Sequence, residues 1–438
     1  MSSLRQLLWT VRALHHRNFR LFYMGQSISL IGTWMQRIAL GWLVYRLTDS
    51  VFLLGLVGFV GQIPGFLLAP LAGVLADRWD RHRMLLVTQA IAMAQALVLA
   101  ILVLTNAVTI WHILALSLVL GIINSFDIPT RQSFTVEMLE DKRDLANAIA
   151  LNSSMVNGAR LLGPSVAGVL IAAVGEGVCF LLNGLSYLAV LASLLLMQLG
   201  QRKLPPRRSG VWHELGEGFR YAFRFPPIRD LLLMVAMISL MGMPYAVLMP
   251  AFVRDVLSAG PGALGFLMGA VGAGALMGAL YLASRRDVLG LDRLIPLAAA
   301  ALGCGLMAFS FSPVLWLSLP LMLVVGIGQM LQMASSNTLL QTMVDDDKRG
   351  RIMSFYVMAF MGMAPVGSLI AGSVASKIGA PWTVFLAGAG CTVAAAVFAK
   401  RLPALRDLVR PVYVAKEILP ETAQGTRPGR EREREVRR

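Results

Sequence analysis

Four charged side chains lie inside or near long apolar runs in the first half of the sequence: Arg37, Asp127, Arg131 and Arg160. A charge at the centre of a membrane costs about 2.5–3.5 kcal/mol, so such groups are expected to pair or to line water. Asp127 precedes Arg131 by one helical turn, which places both on one helix face, and Arg37 could reach them across a cavity. Two hypotheses stay open: Asp127 carries a proton and is tuned by an arginine, or it forms a permanent structural ion pair.

The elements that must position these charges are long apolar helices. Of the 438 residues, 57% are hydrophobic and 14% are charged, and the mean hydropathy is +0.68. Soluble domains carry about 25% charged residues, and a spanning helix needs about 20 apolar residues. We predict an all-α membrane protein whose twelve transmembrane helices form two pseudo-symmetric six-helix bundles. The spans lie near residues 19–45, 51–76, 84–105, 110–133, 146–174, 177–199, 229–252, 262–283, 291–311, 314–340, 352–376 and 381–399.

The longest polar gap divides the chain between the sixth and seventh spans. We predict an N-terminal six-helix bundle over residues 1–200, a linker over 201–227, a C-terminal six-helix bundle over 228–402 and a tail over 403–438. Within the linker, Trp212–Phe225 could form a short interfacial helix. The tail is rich in Arg and Pro and poor in apolar residues, so it is expected to be disordered.

Arginine and lysine recur in alternate loops, which indicates how the chain crosses the membrane. The loops on the side of the N-terminus are basic, and the opposite loops hold only Arg46, Arg254 and Lys377. We therefore expect a multi-pass protein of the cytoplasmic (inner) membrane with both termini and the linker in the cytoplasm. The net charge of +15 fits this bias and contact with anionic membrane lipids. No basic domain with interleaved aromatic residues is present, so we expect no nucleic acid partner.

Two segments recur in the same order in both halves. MLEDKR at 138–143 resembles MVDDDKR at 343–349, and the glycine pattern of 158–168 returns at 362–372 with a constant offset. Parallel repeats around a central site are typical of alternating-access carriers.

The sequence lacks the groupings that metals, cofactors or covalent catalysis require. Cys179, Cys304 and Cys391 lie far apart inside apolar runs, and the five histidines lie in loops or at helix ends. No metal-ligand spacing, nucleophile–base pair or glycine-rich phosphate loop is visible. We expect no metal, no cofactor and no enzymatic activity.

The loop between the second and third spans carries a spaced set of five residues: Gly73, Asp77, Arg78, Arg81 and Arg83. This set resembles the signature loop of the major facilitator superfamily, and the resemblance covers about the first 400 residues. It implies secondary transport, with a gating loop in which Asp77 meets the positive N-terminus of the eleventh helix near Arg351 and latches the two halves. The other interpretation is a basic loop that only sets orientation. Asp80 stands where many members have Gly.

Further stretches resemble an exporter and drug-efflux subgroup of that superfamily, which includes the enterobactin exporter. They are GTWMQRIALGW at 32–42, PTRQ at 129–132 and LANA at 145–148. The fifth span resembles the antiporter motif of the superfamily through Gly163, Pro164 and Gly168, although Ala replaces Gly at two positions. Pro164 kinks the helix and the small residues permit close packing. The alternative is a generic proline kink.

The second half has almost no charge within its spans and is rich in methionine. Methionine adapts to varied apolar ligands, although such residues more often face lipid or pack internally. The candidate substrate cavity comprises Trp34, Met237, Met241, Tyr245, Met330, Met333 and Met358.

These features together predict a monomeric secondary transporter that exports an amphipathic small molecule, such as a drug or a siderophore, in exchange for protons. Transport of a lipid or lysophospholipid is the main alternative among carriers. A transport-inactive scaffold or receptor is the alternative from another class.

Overall fold

The computed structural model describes residues 11–198, 224–285, 288–345 and 348–415, and only the backbone at 69–70, 73–74, 76–78, 412 and 415. The apolar runs form long helices, which we number α1 to α12: Arg17–Thr48, Val51–Arg78, Arg81–Leu104, Ile110–Phe134, Leu145–Val174, Glu176–Leu195, Pro226–Val256, Pro261–Ser284, Leu291–Ser310, Leu315–Met343, Arg349–Ile378 and Ala380–Ala415. Their order and positions confirm the predicted all-α, twelve-helix fold.

Eleven of the described helices are long and apolar enough to cross a membrane. The remaining one, α1, has 32 residues, which at 1.5 Å per residue is about 48 Å long. Successive helices run in opposite directions, so their ends form two faces. We call the face where α1 begins the linker face, and the opposite one the distal face.

The two bundles are built by the same set of helix pairs. In the first bundle α1 packs on α5, α2 on α4, and α3 on α4 and α6; in the second, α7 packs on α11, α8 on α10, and α9 on α10 and α12. The bundles meet where α5 crosses α8 and where α2 crosses α11. The parallel repeat seen in the sequence is therefore present in the fold.

The repeated glycines lie at equivalent crossings. A Cβ atom at Gly168 would lie 2.8 Å from the Cα atom of Gly265, and one at Gly372 would lie 2.8 Å from the Cα atom of Gly55. These two contacts join the bundles through α5–α8 and α2–α11. Because a side chain cannot fit at either crossing, the spacing of the small residues sets how closely the bundles approach.

A buried amide network fixes the rotation of α1. Gln36 donates to Gln95 of α3 at 3.2 Å and accepts from Asn183 of α6 at 2.6 Å. All three side chains are buried in the first bundle. Adjacent positions on a helix point about 100° apart, so anchoring Gln36 turns the next residue, Arg37, away from this network.

The last helix ends later than predicted. α12 continues to Ala415, and Leu405 and Val409 are buried. Arg406 forms an ion pair with Asp292 at the start of α9. The predicted start of the tail at residue 403 is therefore wrong for residues 403–415, because two apolar side chains and an ion pair attach them to the second bundle. Residues 416–438 and nearly all of the proposed interfacial helix lie outside the described residues.

Candidate functional site

Two arginines lie against one tryptophan near the middle of the first bundle. The guanidinium carbon of Arg37 is 4.8 Å from the Trp34 ring centroid, and that of Arg160 is 5.8 Å from it. Arg37 is solvent-exposed although it lies in the middle of α1 and contacts the indole, as expected of a side chain that lines an internal cavity. We call Trp34, Arg37 and Arg160 the arginine cluster.

A glycine of the antiporter-like motif makes room for this cluster. A Cβ atom at Gly163 would lie 2.5 Å from the Cβ of Trp34 and 3.0 Å from the carbonyl oxygen of Ile31. Gly163 therefore lets α5 approach α1 closely enough to place Arg160 beside the indole. Its counterpart in the repeat, Gly367, makes the same kind of contact with Leu240 and Pro244 of α7.

The cluster reaches across the boundary between the bundles. Arg160 Nη2 donates to Gln329 Oε1 of α10 at 2.9 Å, and the Gln329 amide donates to the sulfur of Met243. Met243 lies where the helical hydrogen bonding of α7 is interrupted, beside Pro244. Tyr245 lies within electrostatic range of Arg160. Helices α1 and α5 of one bundle thus meet α7 and α10 of the other.

Asp127 and Arg131 lie on one face of α4, as the sequence predicted, but their contact is long. Asp127 Oδ2 is 3.8 Å from Arg131 Nε, whereas Asp127 Oδ1 accepts from Thr88 at 3.0 Å and from Gln89 at 2.7 Å. Asp127 as a residue is 5% exposed. The structure brings Arg37 to Arg160 of α5, so the four charged side chains singled out in the sequence form two separate groups.

The predicted methionine cavity is only partly assembled. Met241 packs on Gly390 of α12, and Met330 packs on Gly278 of α8. Met237 and Met358 are exposed, and the backbone carbonyl of Met333 accepts a hydrogen bond from Tyr356. Of the predicted cavity residues, Trp34 and Tyr245 lie at the arginine cluster.

The gating loop is described in part. Arg81 Nη1 donates to Glu137 at 2.9 Å and to the carbonyl oxygen of Ser133 at 3.2 Å, so it ties α3 to the end of α4. Asp80 accepts from the backbone of His82 and Arg83 and thereby caps α3. Only the backbone is described at Gly73, Asp77 and Arg78, and the latch at Asp77 stays a prediction.

The sequence interpretation missed a set of contacts at the distal face. Tyr45 at the end of α1 donates to Asp255 of α7, and Arg254 contacts Asp49 at 2.6 Å. We call these four residues the distal clasp. Two of them, Tyr45 and Arg254, line a cavity of about 300 Å³ whose lining includes no residue of the arginine cluster. The adjacent Arg254 and Asp255 at the end of an apolar run were the only visible signal.

Gln329 was missed as well. It was visible as an amide inside an apolar span, but an uncharged amide is a weaker signal than a charge in that position.

Comparison with known proteins agrees with this architecture. Residues 10–418 match the sequence profile of the transmembrane secretion effector family. The chain is 24% identical to the staphyloferrin A transporter of Staphylococcus aureus, over 84% of this chain and 92% of that protein. It is 26% identical to the multidrug efflux pump Tap of Mycobacterium tuberculosis, over 87% of this chain and 92% of that protein.

Among solved structures, a bacterial homologue of the human lysosomal transporter Spinster, in an inward-facing and unoccupied conformation, has the same fold. The TM-score is 0.67 with 14% sequence identity, and the match covers 91% of this chain and 98% of that one.

Proposed function

Because the chain belongs to the transmembrane secretion effector family of the major facilitator superfamily, we propose that it exports an amphipathic small molecule in exchange for protons by alternating access. It is a multi-pass integral membrane transporter. The names of two relatives, a staphyloferrin A transporter and a multidrug efflux pump, support a siderophore or a drug as the class of substrate.

The observation that carries this proposal is the meeting of four helices at the arginine cluster. Helices α1 and α5 come from one bundle and α7 and α10 from the other, and Arg160 bonds directly to Gln329 across the boundary. A carrier that alternates between two access states must remake contacts at this boundary around a fixed site. The distal clasp closes one end of the same boundary.

The proposed orientation indicates which side of the membrane the described state is open to. The positive-inside rule supports a cytoplasmic linker face in the inner membrane. The clasped distal face is then external, so the state seen here would receive substrate from the cytoplasm. We propose that the carrier acts as a monomer, since each chain contributes both bundles of the site.

Asp127 is our candidate for the proton-carrying group. One of its oxygens is held by two hydrogen bonds, while the contact found for the other among the described residues is the distant Arg131 at 3.8 Å. Tyr187 of α6 also lies within electrostatic range of Asp127. We propose Asp127 for this role because it is a buried acid of a membrane helix that has no short ion pair in the part of the chain that the structure describes.

Three dansyl probes that share one apolar body test the function: dansyl-aminohexanoate, its carboxamide and dansyl-cadaverine, which end in a carboxylate, a neutral amide and an ammonium group. The full chain in vesicles should move at least one of them against its gradient when a pH difference is imposed. Absence of transport for all three, with movement of a fluorescent lysophospholipid instead, would favour the lipid alternative.

Asp127→Asn should abolish the response to the pH difference and leave binding detectable, because an amide keeps the hydrogen bonding and carries no proton. Asp230→Asn is the matched control: Asp230 is also a buried acid of a membrane helix, but Arg229 and Arg401 hold it at 3.0 and 3.2 Å. Retention of pH-driven accumulation in correctly folded Asp127→Asn protein would remove Asp127 from the coupling step.

A further inference from the structure

The two arginines of the cluster have no acidic partner among the described residues. The electrostatic neighbour of Arg37 is Arg160, which has the same sign. The neighbours of Arg160 are the neutral phenol of Tyr245 and the neutral amide of Gln329. Two positive charges thus lie at one indole, and their mutual repulsion raises the free energy of placing each of them there.

Three other arginines of the long helices are each paired with an acid. Arg46 contacts Glu176 at 2.8 Å, Arg401 contacts Asp230 at 3.2 Å, and Arg406 contacts Asp292. Since charges inside a membrane protein are costly and are normally paired, the contrast marks Arg37 and Arg160 as groups whose partner comes from outside the chain.

The hydrogen-bonding capacity of the pair points to the same conclusion. A guanidinium group has five N–H donors. Arg160 uses one of them on Gln329, and the contact found for Arg37 is the indole face of Trp34. The remaining donors match the two oxygens of a carboxylate, which arginine binds in a bidentate manner.

We propose that the transported substrate is an anion, whose carboxylate or similar oxyanion binds between Arg37 and Arg160 while its apolar body extends towards Met243 and Tyr245. This inference rests on the proposed function, because it names the class of substrate for the same site. The positive pair also opposes entry of a lipophilic cation. Since Arg160 bonds to Gln329 of the other bundle, an anion that engages Arg160 competes with a contact between the bundles.

The experiment measures binding of the same three dansyl probes to the purified full chain in phosphatidylcholine nanodiscs, by the rise in dansyl fluorescence. The carboxylate probe should bind at least tenfold more tightly than the amide, and the ammonium probe more weakly still. A hydrogen bond to a charged group corresponds to about a tenfold change or more in affinity. Arg37→Gln and Arg160→Gln should each lower the ratio of carboxylate to amide affinity about tenfold.

Arg293→Gln is the matched control, because Arg293 is exposed at the start of α9 and its loss removes the same charge away from the cluster. Arg37→Lys and Arg160→Lys keep the charge and should retain part of the preference, which separates binding from a folding defect. Equal affinity for the carboxylate and the amide, or a preference for the carboxylate that persists in both glutamine variants, would refute the inference.

Two further arms separate this inference from related possibilities. Phosphatidylglycerol added to the nanodiscs tests for an anionic lipid: if it displaces the carboxylate probe through Arg37 and Arg160, the occupant is a lipid headgroup and the inference about the substrate is wrong. Transport of the amide or ammonium probe without any preference for the carboxylate would uphold efflux and refute the anion site. Arginine-dependent binding of the carboxylate without transport of any probe would uphold the anion site and refute efflux.

Discussion

Replacing Tyr45 by Phe removes one hydroxyl from the distal clasp and leaves the ring in place. Tyr45 donates to Asp255 across the boundary between the bundles, and its ring lies 5.5 Å from the guanidinium carbon of Arg254. A hydrogen bond to a charged group contributes about 1.5–3 kcal/mol. Because Asp255 is exposed, we take the lower end, about 1.5 kcal/mol, which shifts an equilibrium about tenfold.

Removing the ion pair of the clasp should have a smaller effect. Arg254 and Asp49 are 2.6 Å apart, but their side chains are 44% and 70% exposed. An exposed pair contributes about 0.2–1 kcal/mol, so Asp49→Asn should shift the equilibrium by at most about fivefold. We therefore expect Tyr45→Phe to increase the population of the state with an open distal face more than Asp49→Asn does.

Spin labels on the two bundles at the distal face measure that population. Suitable exposed sites are Ala107, between α3 and α4, and Val314, between α9 and α10. The exposed Cys304 must first be replaced by Ser. Double electron–electron resonance should show a longer distance that gains weight in Tyr45→Phe.

Tyr281→Phe is the matched control, because the Tyr281 hydroxyl contacts Arg285 of its own bundle at 3.4 Å. If Tyr45→Phe changes the distance distribution no more than this control, or less than Asp49→Asn, the clasp does not hold the distal face closed by the contacts described.

Two further predictions concern packing. Gly163→Ala should lower the thermal midpoint of unfolding and weaken binding of the carboxylate probe. The added Cβ atom would lie 2.5 Å from the Cβ atom of Trp34, and overpacking costs about 1–3 kcal/mol. Gly158→Ala is the control and should have neither effect, because the space around Gly158 is open. Truncation after Leu402 should lower the thermal midpoint, since it removes the buried end of α12, whereas truncation after Ala415 should leave the midpoint and transport unchanged; equal midpoints for the two truncations would contradict this.

The helices were predictable because each signal is local. An apolar run of sufficient length predicts a span wherever its neighbours lie, and α4 was expected over 110–133 and found over Ile110–Phe134. The end of α12 was not predictable in this way. Leu405 and Val409 lie in a segment that arginines and prolines interrupt, and the ion pair of Arg406 depends on Asp292 from a distant part of the chain.

In the candidate site too, the local features could be predicted from the sequence and the contacts between distant residues could not. Arg37 and Arg160 were identified from the sequence because a charge in an apolar run is conspicuous. Their proximity could not be predicted from the sequence, because it depends on the rotation of α1. The buried amide network around Gln36 sets that rotation. The sequence offered Asp127 as a neighbour of Arg37, since opposite charges suggest pairing, whereas the folded chain places two like charges together.

An anionic substrate and proton exchange together have an electrical consequence. If one proton enters for each monoanion that leaves, a cycle moves two positive charges inward. Each charge gains about 2.3 kcal/mol per 100 mV, so an interior-negative potential of that size adds about 4.6 kcal/mol, or about three orders of magnitude in accumulation. The carboxylate probe should therefore respond to a potassium diffusion potential set by valinomycin in the absence of a pH difference.

The carboxamide probe supplies the internal comparison. With a neutral substrate the same cycle moves one charge, so the potential should act with half the free energy, about 2.3 kcal/mol per 100 mV. The ratio between the two probes depends on the charge of the substrate and not on how much protein is active in the vesicles. Equal responses would mean that the carboxylate crosses with its charge already neutralised, which is incompatible with binding as an anion between Arg37 and Arg160.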